Sequence, residues 1–243
     1  YIQKMLSDER YKKLNYLDII KSLKKTETSK YNPIRYFQYA FFSKKKQLMK
    51  NFLIKSITNK TLIIGSGKSV RKNKFKIEKF IRQNNVNVIA LNTTSSINEK
   101  LIDYRVACHP LRIISDISIY KKNETKLIIP YSSFNGGIKN LIKKYKIKFL
   151  DYGLKLSMNN QIHVKNNYCV LPDPLAIGYA LSIFSAKSKN DLYFAGIDGF
   201  DISNSETDNT IAMIKYFFSK IIKNRPISLT QSKYKKMFKF LSL

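Results

Sequence analysis

Thr61-Leu-Ile-Ile-Gly-Ser-Gly-Lys-Ser-Val70 is an apolar run that breaks into a Gly-Ser-Gly-Lys-Ser turn and leads into a polar, helix-like segment. It predicts a buried strand feeding a helix N-terminus. At such a point an open α/β sheet offers backbone N–H groups and partial positive charge to a phosphate. Gly65 and Gly67 permit a tight turn and close backbone approach, while Ser66 and Ser69 supply hydroxyl donors or a helix cap. The turn is not a Walker A loop: Gly67-Lys68-Ser69 matches its second half, but the first glycine would fall at Leu62. Nor is it G-x-G-x-x-G, since no third glycine follows Gly67 at that spacing. Two readings stand, a phosphate-bearing ligand at this loop or a plain strand-to-helix turn.

From Lys60 onward the same rhythm recurs. Strand-like runs fall at 62–64, 86–91, 105–108, 126–129, 146–150, 168–171, 192–195 and 227–229. Helix-like segments lie between most of them, at 73–83, 111–120, 136–144, 173–186 and 208–223. Alternating units of this length predict an α/β fold, a Rossmann-like, mainly parallel sheet with helices on both faces. Ligands in such sheets sit beyond the carboxyl ends of the strands.

Residues 1–59 read differently. Ile2, Met5, Leu6, Leu14, Leu17, Ile20 and Leu23 have helical spacing, and Thr26–Pro33 is a polar linker ending in Asn-Pro. Tyr36, Phe37, Tyr39, Phe41 and Phe42 form a dense aromatic cluster, expected to pack on a neighbouring domain rather than to stack bases. The expected organisation is a helical segment and linker over 1–59 and a Rossmann-like domain over 60–243. Left alone, the first segment is expected to expose an apolar patch, so a chain starting near Lys55 should be better behaved and equally folded.

The chain has 243 residues, 44% of them hydrophobic, enough for a substantial core. No apolar run approaches the ~20 residues needed to span a bilayer, and a cytoplasmic location is expected. Tyr1-Ile-Gln-Lys-Met-Leu reads as the middle of a longer polypeptide. The formal charge is +29, but of 45 basic residues only seven are Arg. Lysine lacks the planar fork that reads phosphates and base edges, so no specific nucleic-acid partner is expected. A weak, salt-sensitive attraction to polyanions or anionic membranes follows from the charge. Cys108, Cys169, His109 and His163 give neither a disulfide framework nor zinc-ligand spacing; neither metal nor cofactor is expected.

Polar residues at the strand ends mark the candidate site. They are Gly65, Ser66, Gly67 and Ser69 after the first strand, Asn92 after the second, His109 after the third, and Asp198 after the seventh. Asn92 suits a base or ribose, or else caps the following helix. Asp198 suits a hydroxyl pair or a metal, or else orders its own turn. His109 is the histidine placed for proton transfer, or else it merely ends a strand.

Ile63-Ile-Gly-Ser-Gly-Lys-Ser, Ile89-Ala-Leu-Asn92, Ala176-Ile-Gly-Tyr-Ala-Leu and Leu192-Tyr-Phe-Ala-Gly-Ile-Asp198 resemble the bacterial lipooligosaccharide sialyltransferases. That resemblance implies that Gly65, Ser66, Gly67, Ser69 and Asn92 hold the nucleotide of a CMP-sugar. Asp173-Pro174 replaces the family's Ser-Gly before the long helix, and no counterpart of its catalytic histidine follows Asp198.

Four other stretches, Tyr1-Ile-Gln-Lys-Met-Leu-Ser-Asp-Glu-Arg-Tyr, Ala107-Cys-His-Pro-Leu-Arg112, Tyr168-Cys-Val-Leu-Pro172 and Ser228-Leu-Thr-Gln-Ser-Lys-Tyr234, carry a second resemblance. They are similar to the C-terminal region of O-antigen cluster fusion proteins. Those join an aldolase-type barrel, of the HMG-CoA lyase and 4-hydroxy-2-oxovalerate aldolase superfamily, to an α/β domain. The resemblance implies a barrel partner in the parent chain, with the first ~45 residues as its trailing helices. The expected function is the C-terminal part of a surface-polysaccharide biosynthesis protein that binds a nucleotide or nucleotide-sugar. The alternatives are an active sialyltransferase-like enzyme with Asp198 or His109 as base, and a non-catalytic interaction domain of an aldolase or lyase.

Overall fold

The computed structural model describes residues 41–43, 60–93, 96–157, 161–187, 191–199, 205–222, 226–234 and 237–241. The helical pattern expected before residue 41 lies outside them. The strands are β1 Thr61–Ile64, β2 Asn87–Leu91, β3 Tyr104–Val106, β4 Lys126–Ile129, β5 Leu150–Asp151, β6 Gly153–Leu156, β7 His163–Val164, β8 Tyr168–Leu171, β9 Leu192–Ala195, β10 Ile227–Ser228 and β11 Lys239–Phe240. The helices are α1 Lys68–Lys72, α2 Lys74–Asn84, α3 Pro110–Ser115, α4 Ile117–Lys122, α5 Gly136–Lys144, α6 Ala176–Lys187 and α7 Ser205–Tyr216, the last running on into a π-turn over Phe217–Ile221.

Two compact units emerge, one drawn from Leu53–Val106 and Leu175–Leu243, the other from Tyr1–Phe52 and Ala107–Pro174. In the first, six parallel strands run in the order β11-β10-β9-β1-β2-β3. β1 is central, with Ile63 registered against Ile89 on one side and Phe194 on the other. Every residue of β1 and β9 is buried, as expected for parallel strands covered on two faces. Alternation divides the work. Leu62 and Ile64 join Val88, Ala90 and Ala195 in a core closed by Ile77, Phe80 and Ile81 of α2. Ile63, Ile89 and Phe194 point the other way, where α6 packs across β2 and β3 and where Phe218 and Phe238 meet the Phe194 ring. The fold is therefore α/β and Rossmann-like, with helices on both faces.

The second unit carries the parallel pair β4–β5 and a small sheet in which β8 is parallel to β6 and antiparallel to β7. Here the expected elements need correction. The strand expected over 146–150 begins only at Leu150, because Lys146 takes φ +53 and ends α5 in a left-handed turn. The helix expected over 111–120 breaks at Asp116, whose backbone leaves the helical region at φ -98, ψ 11; its carboxylate pairs with Arg112 at 2.8 Å. In the first unit the helix expected over 73–83 is α2, Lys74–Asn84, and a separate short helix, α1, precedes it at Lys68–Lys72.

Of the aromatic cluster, Phe41 and Phe42 are described, and they are not exposed. Phe41 is 1% and Phe42 9% accessible; Phe42 forms a bridge to Phe134 with ring centroids 5.4 Å apart. Two backbone bonds, Ser43 N–H to Ser133 O at 2.7 Å and Asn135 N–H to Phe41 O at 2.8 Å, fix the contact. These rings fill this chain's own core, which overturns the expectation of an open patch at this point. Among the described residues no helix is long and apolar enough to cross a membrane.

Phe42→Ala should lower the unfolding free energy by about 3 kcal/mol in urea denaturation, as truncation of a buried Phe does. A chain beginning at Lys55, which loses both rings, should unfold at lower urea than the full chain; an equal or higher midpoint would show that the Phe41–Phe42 contact adds nothing.

Candidate functional site

β1 and β9 are parallel neighbours, so the turns after Ile64 and Ala195 leave the same edge of the sheet. The chain moves from β1 to β2 on one side and returns to β9 on the other, which makes this a topological switch point, where doubly wound sheets bind ligands. The two turns are laced together. Gly65 N–H donates to Ala195 O at 2.8 Å and Gly67 N–H to Gly196 O at 3.0 Å. A Cβ on Gly65 would collide with the Gly196 carbonyl, and Gly196 sits at φ +71 against Val70. These glycines serve the approach of one turn to the other.

Asp198 completes the lacing. Its carboxylate accepts the Ser69 N–H at 2.9 Å and also the Ser69 hydroxyl. A Cβ on Gly67 would run into that carboxylate. α1 starts at Gly67 without any side-chain cap of its own, so Asp198 caps it from 129 residues away. A carboxylate suits the open amides and positive dipole of a helix start. The Ser69 hydroxyl, read from sequence as a donor to a phosphate or as a helix cap, and the Ser69 amide beside it already hold an anion. Asp198 therefore neither orders its own turn nor stands alone.

A third loop, after β10, braces the second. Thr230 Oγ1 accepts the Gly196 N–H at 2.9 Å, Ser232 Oγ donates to Ile197 O, and Lys233 N–H donates to Asp198 O at 2.8 Å. Thr230 and Ser232 are buried. Sequence reasoning passed over them, although a run of hydroxyl residues just past a strand's carboxyl end was the available signal.

Asn92, at the end of β2, adopts φ +55, a conformation that Asn tolerates better than most side chains. Its N–H donates to Val106 O at 2.9 Å, and its carbonyl accepts Arg105 Nη1 at 2.7 Å. Arg105 is itself buried and paired with Glu99 through Nε at 2.9 Å, a device the sequence did not reveal. The Asn92 side-chain amide makes no hydrogen bond among the described residues, and Ser66 and Lys68 are exposed. Gly65, Ser66, Gly67, Ser69 and Asp198 thus lie in one knot, with Asn92 at the end of the adjoining strand. His109 belongs to the other unit, half-buried immediately before α3, without capping that helix through its side chain.

The other unit has its own polar cluster at the carboxyl ends of β4 and β5. Asp151 accepts the Ser132 N–H at 3.0 Å and its hydroxyl at 3.2 Å, while Lys139 Nζ donates to Ser132 O at 2.9 Å. Burial pushes the Asp151 carboxyl up, against the pull of Ser132 and Lys139, and burial pushes Lys139 down. Burial likewise raises the Cys108 thiol. Among the described residues no three His, Cys, Asp or Glu side chains gather to hold a metal ion. No protein-family model matches the chain, and no curated protein matches it.

The crowding of Gly67 on Asp198 gives a sharp test. Gly67→Ala should cost roughly 1–3 kcal/mol, because its methyl displaces the carboxylate from the Ser69 donors. In an Asp198→Ala background the same change should cost much less. Urea denaturation of the four proteins measures that coupling, and strictly additive costs would refute it.

Proposed function

We propose that the unit formed by Leu53–Val106 and Leu175–Leu243 binds a nucleotide or nucleotide-sugar at the carboxyl edge of its parallel sheet, within a protein of surface-polysaccharide biosynthesis. The observation that carries the reading is the pair of laced turns at the switch point between β1 and β9, with Ser66, Lys68 and the Asn92 amide left available beside them. The polysaccharide setting rests on the resemblance of the strand-end motifs to lipooligosaccharide sialyltransferases.

Asp198 shapes how such a ligand is held. Its two bonds to Ser69 leave further lone pairs on a half-buried carboxylate, suited to accept from ligand hydroxyls such as a ribose diol. Phosphate charge is better met by Lys68 and the Ser66 hydroxyl than by the Ser69 amide, where it would compete with a carboxylate. Asn92 offers donor and acceptor together, the chemistry that a base or sugar edge requires. The arrangement favours recognition over turnover, since Asp198 is engaged as a cap.

CMP, or a CMP-sugar, at ten times its dissociation constant should stabilise the fold by about 1.4 kcal/mol. For a chain of this size that is about 3–5 °C in melting temperature. Ser66→Ala and Asn92→Gly should each weaken the shift while leaving the unliganded melt nearly unchanged; glycine keeps the left-handed backbone at 92 and removes only the amide. No stabilisation by any nucleotide at millimolar concentration, or shifts unaltered by both variants, would refute the reading.

A further inference from the structure

α2 buries Ile77, Phe80 and Ile81 against the sheet, yet on its other side it holds Phe75 in water at 84% accessibility, the highest of the large apolar side chains described. At 100° per residue Phe75, Lys79 and Arg82 share one stripe, at i, i+4 and i+7. Arg71 and Lys72 end α1 just before it, across Asn73, whose φ -110 and ψ 18 break the helix, although Asn73 N–H donates to Ser69 O and Ile77 N–H to Asn73 O, both at 3.0 Å. Arg71, Lys72, Lys79 and Arg82 are all exposed. Glu78, the one acid in α1 or α2, is turned aside, accepting the Asn98 N–H at 2.9 Å and lying 3.9 Å from Lys74. The result is an exposed phenylalanine on the same face of α2 as Lys79 and Arg82, with the exposed Arg71 and Lys72 at the end of α1 just before it.

A partner for this face must bring anions at its surface and an apolar layer just beneath. A bilayer containing anionic lipid does both. We propose that the exposed face of α2, with the end of α1 before it, docks on an anionic membrane surface, with Phe75 entering the headgroup–acyl boundary and Lys79, Arg82, Arg71 and Lys72 meeting lipid phosphates. Single-stranded nucleic acid fits less well, since its sites stack successive bases on several aromatic rings and this stripe has one. The proposal stands apart from nucleotide binding, as the face lies on α2 and the last residues of α1 and uses none of the residues of the laced turns.

The chain contains no tryptophan, so Phe75→Trp places a single reporter at the predicted point of insertion. The full chain carrying it should shift its emission to the blue with vesicles of ~30% phosphatidylserine in phosphatidylcholine, and not with phosphatidylcholine alone. In sedimentation with the same vesicles at ~0.1 M salt, Phe75→Ala should weaken binding roughly tenfold, and Lys79→Glu with Arg82→Glu should abolish it. At so exposed a position these changes should leave the circular dichroism spectrum intact. Binding to the vesicles with no change in emission would reduce the contact to diffuse charge attraction and overturn the proposal. So would a reporter that responds to an oligothymidylate but not to vesicles, or an absence of vesicle binding.

Discussion

One carboxylate holds the carboxyl edge of the β1–β9 pair together. Asp198 binds the amide and hydroxyl of Ser69, joining the turn after β1 to the turn after β9. Much of the local sequence answers to that contact. Gly67 leaves room for the carboxylate, Gly65 and Gly196 let the two backbones meet, and α1 needs no cap from its own sequence. Thr230 and Ser232 then hold the Asp198 turn from behind. Charge-assisted bonds of this kind are about twice as strong as neutral ones, and here they act where a helix end would otherwise lie open.

A glycine-rich turn before a helix is usually read as a seat for phosphate. In this chain a side chain from the neighbouring strand's loop occupies that seat, so the same turn chemistry serves architecture. The proposed ligand would then be met further out, by groups with spare hydrogen-bonding capacity. The surface charge follows a different logic. Its +29 is distributed over the whole chain, and the proposed docking face differs from the rest of that charge in combining cations with an exposed apolar group.

The fold was legible because its signals are local. Leu62–Ile64 is short, apolar and closed by Gly65, and Leu192–Ala195 is closed by Gly196; both are strands within a residue of the expected place. The candidate edge was legible for the same reason, since strand ends follow once strands are known. The Asp198–Ser69 bond was not, because nothing near either residue reports a partner 129 positions away. Arg105 escaped notice likewise: inside a strand it looks like an ordinary surface charge, and only the fold shows it buried on Glu99 and the Asn92 carbonyl. The small strands β7 and β11 have two residues each, too short for alternation to show. The burial of Phe41 and Phe42 depends on Phe134, which no periodicity connects to them.

The central strand also sets a timetable. β2, the neighbour of β1 on one side, follows it closely in the chain, but its other neighbour, β9, belongs to a stretch made much later. Translating the 129 residues between Ser69 and Asp198 takes ~6–26 s at ~5–20 residues per second. Throughout that interval Thr-Leu-Ile-Ile presents an unpaired apolar edge, the kind of segment that nascent chains stick together by. Lys60 and Lys68 flank it, and charges so placed act as gatekeepers. A strand that waits so long for its second partner thus carries, at both ends, the charges that discourage such sticking.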